Sequence, residues 1–392
     1  MLLVTKIWEQ RKLGEIGKLQ SGIGFPSTEQ GGTEGIPFYK VSDMNNPDNE
    51  HEMTNANNYV TNEQLTRRKW NPIKNVPAVI FAKVGAAIML NRKRLVTIPF
   101  LIDNNTMTYS FSNCLEINFG KTLFETIYLP KYVQIGALPS YNISDIQSIK
   151  VFIPNKDEQI KIGKFINIFN NLITLYERKT RLLSKLRTFL TQRLFSNSSK
   201  VSLYFDNKNW SKHKISEFLT ERNEKVIPNP SIPLVSFTVE KGVTPKSKRY
   251  NREFLVKDDK KKYKITKKND IVYNPANLKF GAIARNKFGN AAFSPIYVTF
   301  ITKLNPVFTE FLVRRKDFIK LALKYQEGTV YERMAVKSKD FLSLKIYLPN
   351  SSRDINHIAQ ILQSLDTLVS LNKNKISLIT LIKKELLNTM FI

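Results

Sequence analysis

The chain has 392 residues, with 61 Lys or Arg against 33 Asp or Glu, and its formal net charge is therefore +28. A hydrophobic fraction of 42% with 11% aromatic residues excludes an intrinsically disordered chain and allows two or three folded domains. A single cysteine, Cys114, excludes a disulfide framework and a thiolate metal site. No apolar run reaches the length of a signal peptide or a transmembrane helix, so we expect a cytoplasmic protein with no membrane partner.

The first half opens at Trp8 with the segment W-E-Q-R-K-L-G-E-I-G and continues with short apolar runs. Runs of this length between turn residues are typical of buried strands. They cover residues 36–44, 76–90 with a turn at Gly85, 101–108 and 114–119. Residues 1–153 are therefore predicted to form a first mixed α/β domain.

Residues 154–195 have the pattern of one long amphipathic helix. Two columns of mostly apolar residues, one at every seventh residue from Ile162 and one three residues further on, predict a coiled-coil seam. A helix from Asp157 to Leu194 would be about 57 Å long. The predicted seam residues are Ile162, Phe165, Phe169, Leu172, Tyr176, Lys179, Leu183, Leu186 and Leu190.

The polar run 196–209 is predicted to be a linker, and residues 210–348 a second mixed α/β domain. This half opens at Trp210 with W-S-K-H-K-I-S-E-F-L, which resembles the segment at Trp8. Strands are predicted over residues 232–239, 269–274 and 289–301, and helices over 308–325.

Residues 349–392 repeat the long helix. Adding 196 to the seam positions of the first helix gives Ile358, Ile361, Leu365, Leu368, Asn372, Lys375, Ile379, Ile382 and Leu386. The polar positions Tyr176 and Lys179 coincide with Asn372 and Lys375, which favours an antiparallel pair with its polar layers at the centre. The alternative is two separate surface helices. We therefore predict an α+β protein with an internal pseudo-twofold repeat, in which two mixed α/β domains are joined by an antiparallel coiled coil of two long helices.

The sequence contains no convincing catalytic motif. Tyr273 begins Y-N-P-A-N, which lacks the second proline and the aromatic residue of the N-P-P-[YF] loop of amino-methyltransferases. A phosphate loop ending in F-G-K-T would need glycine where Leu115 stands. No catalytic residue and no metal ligand is predicted, and the chain is expected not to be an enzyme by itself.

The basic surplus is instead interleaved with aromatic and amide side chains. Lys and Arg can contact phosphates, whereas Arg and Asn can also bind base edges in the major groove. The alternative for any single residue is an ordinary solvated surface. The candidate DNA-binding residues are Lys40, Arg67, Arg68, Lys69, Lys83, Arg92, Lys93, Arg94, Lys246, Lys248, Arg249, Tyr250, Asn277, Lys279, Arg285, Tyr331 and Arg333.

Taken together, these segments resemble the specificity (S) subunit of Type I restriction-modification enzymes, over essentially the whole chain. The resemblance rests on W-E-Q-R-K-L-G-E-I, on V-F-I-P-N-K-D-E-Q-I-K-I with its copy I-Y-L-P-N, and on N-D-I-V-Y-N-P-A-N-L-K-F-G-A-I and A-F-S-P-I-Y. One departure is the start of the second helix, S-S-R-D-I-N-H-I, which lacks the E-Q pair of the family.

The resemblance implies a non-catalytic subunit with two target-recognition domains, each reading one part of a bipartite, asymmetric site in double-stranded DNA. The helix pair would set the spacer and dock two methyltransferase (modification) subunits, to which restriction (translocase/endonuclease) subunits attach. S-adenosylmethionine, ATP and Mg²⁺ would act in those partners, and this chain would need no cofactor. The alternatives are a self-contained DNA methyltransferase or restriction fusion, and a coiled-coil protein that binds nucleic acid without sequence preference.

Overall fold

A computed structural model describes residues 8–134, 136, 138–195, 210–245, 262–327 and 334–391. The predicted linker, 196–209, lies outside the described residues. The described residues divide into two units: unit 1 takes those within Met1–Glu177 and Asn374–Ile392, and unit 2 those within Arg178–Lys373. Each unit therefore contains one globular module and parts of both long helices.

The module of unit 1 is built on a four-stranded antiparallel sheet in the order β2-β8-β5-β6, beside a smaller sheet in the order β4-β3-β7. Its strands are β1 (Glu9–Lys12), β2 (Gly17–Ser21), β3 (Ile36–Tyr39), β4 (Tyr59–Val60), β5 (Ala78–Ala82), β6 (Lys93–Val96), β7 (Leu101–Ile102), β8 (Thr106–Phe111) and β9 (Lys150–Ile153). Its helices are α1 (Leu13–Ile16), α2 (Asn62–Arg68), α3 (Ile117–Thr126) and α4 (Ile143–Gln147). Every residue of β5 and β8 is buried, because apolar clusters cover the sheet on both faces.

Two predicted strands of this module are wrong in part. Residues 76–90 contain β5, but Ala86–Leu90 form a 3₁₀ turn. Residues 114–119 do not form a strand but lead into α3. The Glu116 carboxylate accepts a hydrogen bond of 2.8 Å from the Phe119 amide, and this side-chain cap favours a helix over a strand.

The module of unit 2 has a four-stranded antiparallel sheet in the order β11-β19-β16-β17. Its strands are β10 (Trp210–Lys214), β11 (Leu219–Glu221), β12 (Lys225–Val226), β13 (Val235–Thr238), β14 (Gly242–Pro245), β15 (Tyr263–Thr266), β16 (Ile271–Tyr273), β17 (Ile283–Arg285), β18 (Ala291–Phe293), β19 (Val298–Thr302), β20 (Gln326–Glu327), β21 (Ala335–Val336) and β22 (Lys345–Pro349). Its helices are α6 (Pro306–Arg314), α7 (Lys316–Leu323) and α8 (Ser338–Ser343).

The two modules have the same topology although their sequences align poorly. In each four-stranded sheet the strand that comes last in the chain lies between the first and the second strands, and the third strand pairs with the second at the edge. In each module the opening strand also pairs antiparallel with the closing strand, β1 with β9 and β10 with β22. The internal repeat therefore includes the globular modules and is not limited to the helices.

The two long helices, α5 (Lys156–Leu194) and α9 (Ser352–Met390), have 39 residues each. In unit 1 the start of α5, at Ile162 and Ile166, lies in the core of the module, and the end of α9, at Leu387 and Met390, packs against that core. In unit 2 the roles are exchanged: Ile355, Ile358 and Leu362 of α9 lie in the core, and Leu190 and Leu194 of α5 pack against it. The helices therefore pack together as an antiparallel pair, as predicted.

Candidate nucleic-acid interface

The predicted DNA-binding residues of α2 are largely engaged inside the module. The carboxylate of Glu29, which is only 5% exposed, accepts hydrogen bonds from Arg67 at 2.8 Å, from Arg68 at 2.9 Å and from Gln64 at 2.8 Å. The bond from Gln64, with those from Arg68 and Arg67, lowers the pKa of Glu29 to about 2. Arg67 and Arg68 therefore hold α2 against the Ser27–Glu29 turn, and Lys69, exposed at the end of α2, remains available to an external anion.

The cationic run at β6 is also partly internal. Lys93 donates to the carbonyl oxygen of Ile127, and burial lowers the pKa of Lys93 to about 8. Arg94 donates to the carbonyl oxygens of Lys93 and Met44, and its pKa is lowered by burial. Arg92 bonds to the side chain of Asn45. These half-buried side chains stabilise the loops around β6.

Three further predicted residues occupy intermediate positions. Lys40 donates to Gln30 at 3.1 Å, and Lys83 lies half-buried immediately after β5. Arg285, at the end of β17, donates to the buried carboxylate of Glu310 at 3.1 Å and to Asn269 at 2.8 Å. In unit 2, therefore, Arg285 is also a structural cation.

Asn277 and Lys279 are exposed on the 3₁₀ turn Pro275–Phe280, between β16 and β17. The next residue, Phe280, is 63% exposed, and the Lys279 ammonium lies 5.0 Å from its ring centroid. In unit 1 the corresponding loop exposes Met89 and Leu90. The pattern of basic residues in the sequence does not indicate these three apolar residues. Two of them, Leu90 and Phe280, immediately precede a residue prone to the left-handed conformation, Asn91 and Gly281, and this pattern is visible in the sequence.

The remaining predicted DNA-binding residues lie outside the described residues: Lys246, Lys248, Arg249, Tyr250, Tyr331 and Arg333. Among the residues that the structure does describe, no group of three or more His, Cys, Asp or Glu side chains is arranged to hold a metal ion.

On the helices, the structure buries one predicted column of the seam and exposes the other. The first column is buried or half-buried throughout: Ile162, Phe169, Tyr176, Leu183, Leu190, Ile358, Leu365, Asn372, Ile379 and Leu386. Every member of the predicted second column is exposed and does not line the buried stripe: Phe165, Leu172, Lys179, Leu186, Ile361, Leu368, Lys375 and Ile382.

A second column of buried or half-buried residues lies one residue further along each helix. It consists of Ile166, Ile173, Thr180, Arg187 and Leu194 in α5, and of Leu362, Val369, Ile376, Lys383 and Met390 in α9. Positions three and four residues after the first column are both apolar at several turns, for example Leu172 with Ile173 and Leu368 with Val369. The sequence pattern alone could not separate them.

Polar contacts support the antiparallel pairing within each unit. In unit 2 the Arg187 guanidinium lies 2.7 Å from the Asp366 carboxylate. In unit 1 the Lys375 ammonium lies 5.4 Å from the ring centroid of Tyr176, and Lys383 is ion-paired with Glu125 of α3 at 2.5 Å. The last contact ties the end of α9 to the module of unit 1.

The exposed side of the helices carries a second apolar stripe, which we call the outer stripe. Along α5 its members are mostly three or four residues apart, as in a coiled-coil seam, whereas along α9 most of them are three or seven residues apart. Its members in unit 1 are Phe165, Ile168, Leu172, Leu175, Leu378, Leu381 and Ile382, and those in unit 2 are Leu182, Leu186, Phe189, Ile361, Leu368 and Leu371. Each unit therefore presents apolar residues from both helices to its surroundings.

Comparisons with known proteins agree with this architecture. Residues 5–185 match the model of the Type I restriction modification DNA specificity domain. The type I restriction enzyme MjaX specificity subunit of Methanocaldococcus jannaschii is 23% identical over 278 residues, which cover 66% of this chain and 62% of that protein. The chain thus matches less than two thirds of the length of this curated relative.

Two solved structures share the fold. The S subunit of a Type I restriction-modification system from M. genitalium has a TM-score of 0.66 at 15% identity and covers 100% of this chain and 98% of its own. The second structure comes from a study of complex assembly and conformational transition of the type I R-M system. Its matching chain superposes with a TM-score of 0.51 at 12% identity, and the match covers 98% of this chain and 97% of that one. Within the described ranges, no helix has both the length and the apolarity needed to cross a membrane. The predicted resemblance is confirmed: residues 5–185 match the model of the Type I restriction modification DNA specificity domain, and the chain is similar to the specificity subunits of Type I restriction-modification enzymes.

Proposed function

We propose that the chain is the non-catalytic DNA sequence-specificity subunit of a Type I restriction-modification complex. Each module reads one part of a bipartite, asymmetric DNA site in the major groove, and the helix pair sets the spacer between the two parts. The methyltransferase and restriction subunits supply the chemistry, with S-adenosylmethionine, ATP and Mg²⁺ bound there. The complex acts in the cytoplasm.

The observation that carries this proposal is the duplication of one topology with different exposed residues. Both modules have the same sheet order and are tied to matching ends of two 39-residue helices. The exposed turns differ in chemistry, with Met89 and Leu90 in one module and Lys279 and Phe280 in the other. A duplicated scaffold with different exposed side chains suits the recognition of two unlike half-sites.

Charge supports DNA as the ligand. The chain carries a formal net charge of +28, which favours phosphate contacts that place a protein on the duplex without reading its sequence. Some of the cations form ion pairs with buried carboxylates: Arg67 and Arg68 with Glu29, and Arg285 with Glu310. Phosphate binding therefore falls mainly to exposed cations, of which Lys69 is an example.

The outer stripe supports docking of the methyltransferase subunits on the helices. Its apolar residues recur at heptad-like intervals, which suit a surface that accepts another helix by knobs-into-holes packing. Because each unit exposes one segment of this stripe from α5 and one from α9, the repeat offers two similar surfaces. Two copies of one partner would occupy them.

Single-molecule sequencing of adenine methylation tests the proposal. Cells would express the methyltransferase subunit of the same system alone, this chain alone, or the two together. We expect a bipartite motif with a gap of fixed length that appears only when the chain is present. Methylation that does not depend on the chain would favour a nonspecific nucleic-acid-binding protein, and methylation by the chain alone would favour a self-contained methyltransferase.

A further inference from the structure

The 3₁₀ turns between the second and third strands of the two four-stranded sheets correspond residue by residue over 86–93 and 276–283. In unit 1 the turn Ala86–Leu90 is followed by Asn91 in the left-handed conformation, with φ of 48°. In unit 2 the turn Pro275–Phe280 is followed by Gly281, with φ of 81°. The next strand begins two residues later in both units, at Lys93 and at Ile283. Adding 190 to a residue number therefore carries the first turn onto the second.

The same backbone hydrogen bond and the same apolar anchor fix both turns. The amide of Asn91 donates to the carbonyl oxygen of Ile88 at 2.9 Å, and the amide of Gly281 donates to that of Leu278 at 2.8 Å. Ile88 and Leu278 are buried in the cores of their own modules. Each turn is thus held in place by its anchor, and its shape does not depend on the residues that it exposes.

The residues after the anchors are exposed and differ between the turns. Met89 and Leu90 are 58% and 56% exposed in unit 1, where unit 2 has exposed Lys279 and Phe280, the latter at 63%. Exposed apolar groups rimmed by polar residues can mark an interaction site. Apolar groups can contact the thymine methyl group in the major groove, and a Lys ammonium can bind guanine O6 and N7.

The charge around both turns favours DNA over a protein partner. The segment 83–94 contains Lys83, Arg92, Lys93 and Arg94 and no Asp or Glu. The segment 273–290 contains Lys279, Arg285 and Lys287 and also no Asp or Glu, and of these three cations Arg285 and Lys287 are ion-paired with Glu310 at 3.1 Å. Neither turn segment therefore has a carboxylate of its own, which suits a surface that approaches phosphates.

We propose that these two turns are the base-reading elements of their modules. Met89 and Leu90 help to specify one half-site, and Lys279 and Phe280 the other. This inference rests on the proposed function and adds the residues that determine specificity.

Exchange of the exposed pairs tests the inference. The M89K/L90F variant places the residues of the second turn on the first, and K279M/F280L does the reverse. Each variant would be expressed with the methyltransferase subunit, and its methylated motif compared with that of the original chain. We expect the base preference of one half-site to change by roughly tenfold or more at one or two positions, with the other half-site and the gap unchanged. The controls I98A and I227A remove exposed apolar side chains elsewhere in each unit and should leave the motif intact.

The outcomes separate this inference from the proposed function. A bipartite motif that is identical for the original chain and both exchange variants would overturn the inference and leave the proposed function standing. Loss of the methyltransferase from purified complexes of the exchange variants, with no change of base preference, would also overturn it, because the turns would then bind the partner. Absence of any bipartite motif with the original chain would remove the proposed function itself.

The variants M89A/L90A and K279A/F280A provide a second test. Each should weaken binding of the complex to a cognate DNA duplex roughly tenfold without lowering the melting temperature. Unchanged affinity in both variants would contradict the inference.

Discussion

Gln159 joins the start of α5 to the module of unit 1 through three hydrogen bonds. Its side-chain oxygen accepts from the Glu116 amide at 2.9 Å, and its side-chain nitrogen donates to the carbonyl oxygens of Cys114 at 3.1 Å and Pro154 at 3.0 Å. In the second copy the equivalent residue is Ile355, which is buried in the core of unit 2. Where the first helix has Gln159 with its hydrogen bonds, the second helix therefore has Ile355 with apolar contacts.

The Gln159→Leu variant should reduce the free energy of unfolding by about 2–4 kcal/mol, because it leaves a buried amide and two carbonyl groups without partners. Chemical denaturation of the purified chain measures this loss. Gln192→Leu, on an exposed part of α5, is the matched control and should change stability by less than about 0.5 kcal/mol. Equal effects of the two variants would show that the hydrogen bonds of Gln159 do not hold the helix to the module.

At the scale of elements, each long helix has two apolar faces with different partners. The inner face contains Ile173 and Val369, which are buried, and the outer stripe contains their neighbours Leu172 and Leu368, which are exposed. The inner face packs within the protein, whereas the outer stripe has no covering among the described residues of the chain. Residues of the inner face should therefore determine the stability of the chain, and their neighbours in the outer stripe should determine its assembly with a partner.

Replacement of each neighbour by aspartate separates the two faces. Ile173→Asp or Val369→Asp buries a carboxylate without a partner and should cost at least about 3 kcal/mol of unfolding free energy. Leu172→Asp or Leu368→Asp should change stability by about 1 kcal/mol or less but reduce co-purification of the methyltransferase subunit. Denaturation and co-purification of all four variants would be measured side by side. If Leu172→Asp were as destabilising as Ile173→Asp, the assignment of the two faces would be wrong.

The elements also show which features the sequence could and could not predict. Repetition at a shift of 196 predicted the two helices and their pairing, because a heptad pattern over many turns is a strong signal. The second column was placed one residue too early, since Leu172 and Ile173 are equally apolar. The role of Arg67 and Arg68 could not be predicted either, because their partner, Glu29, is distant in sequence and only the folded module brings them together.

For the molecule as a whole, duplication of the module and of the helix has a functional consequence. Each module is anchored to the start of one long helix and the end of the other. Under the proposed function, the length of the helices would therefore determine the number of base pairs between the two half-sites. The residues that we propose to read bases lie elsewhere, on the 3₁₀ turns of the modules. Spacing and base preference should then change independently.

Removal of one heptad from each helix tests this independence. Deletion of residues 173–179 and 372–378, centred on the contacting pair Tyr176 and Lys375, preserves the heptad pattern and shortens each helix by about 10 Å. Since base pairs are about 3.4 Å apart, we expect the gap in the methylated motif to shorten by one to about three base pairs, with both half-sites unchanged. Deletion from only one helix breaks the register of the pair and should abolish methylation. A matched deletion that altered the half-sites, or that left the gap at its original length, would show that the helices do not set the spacing.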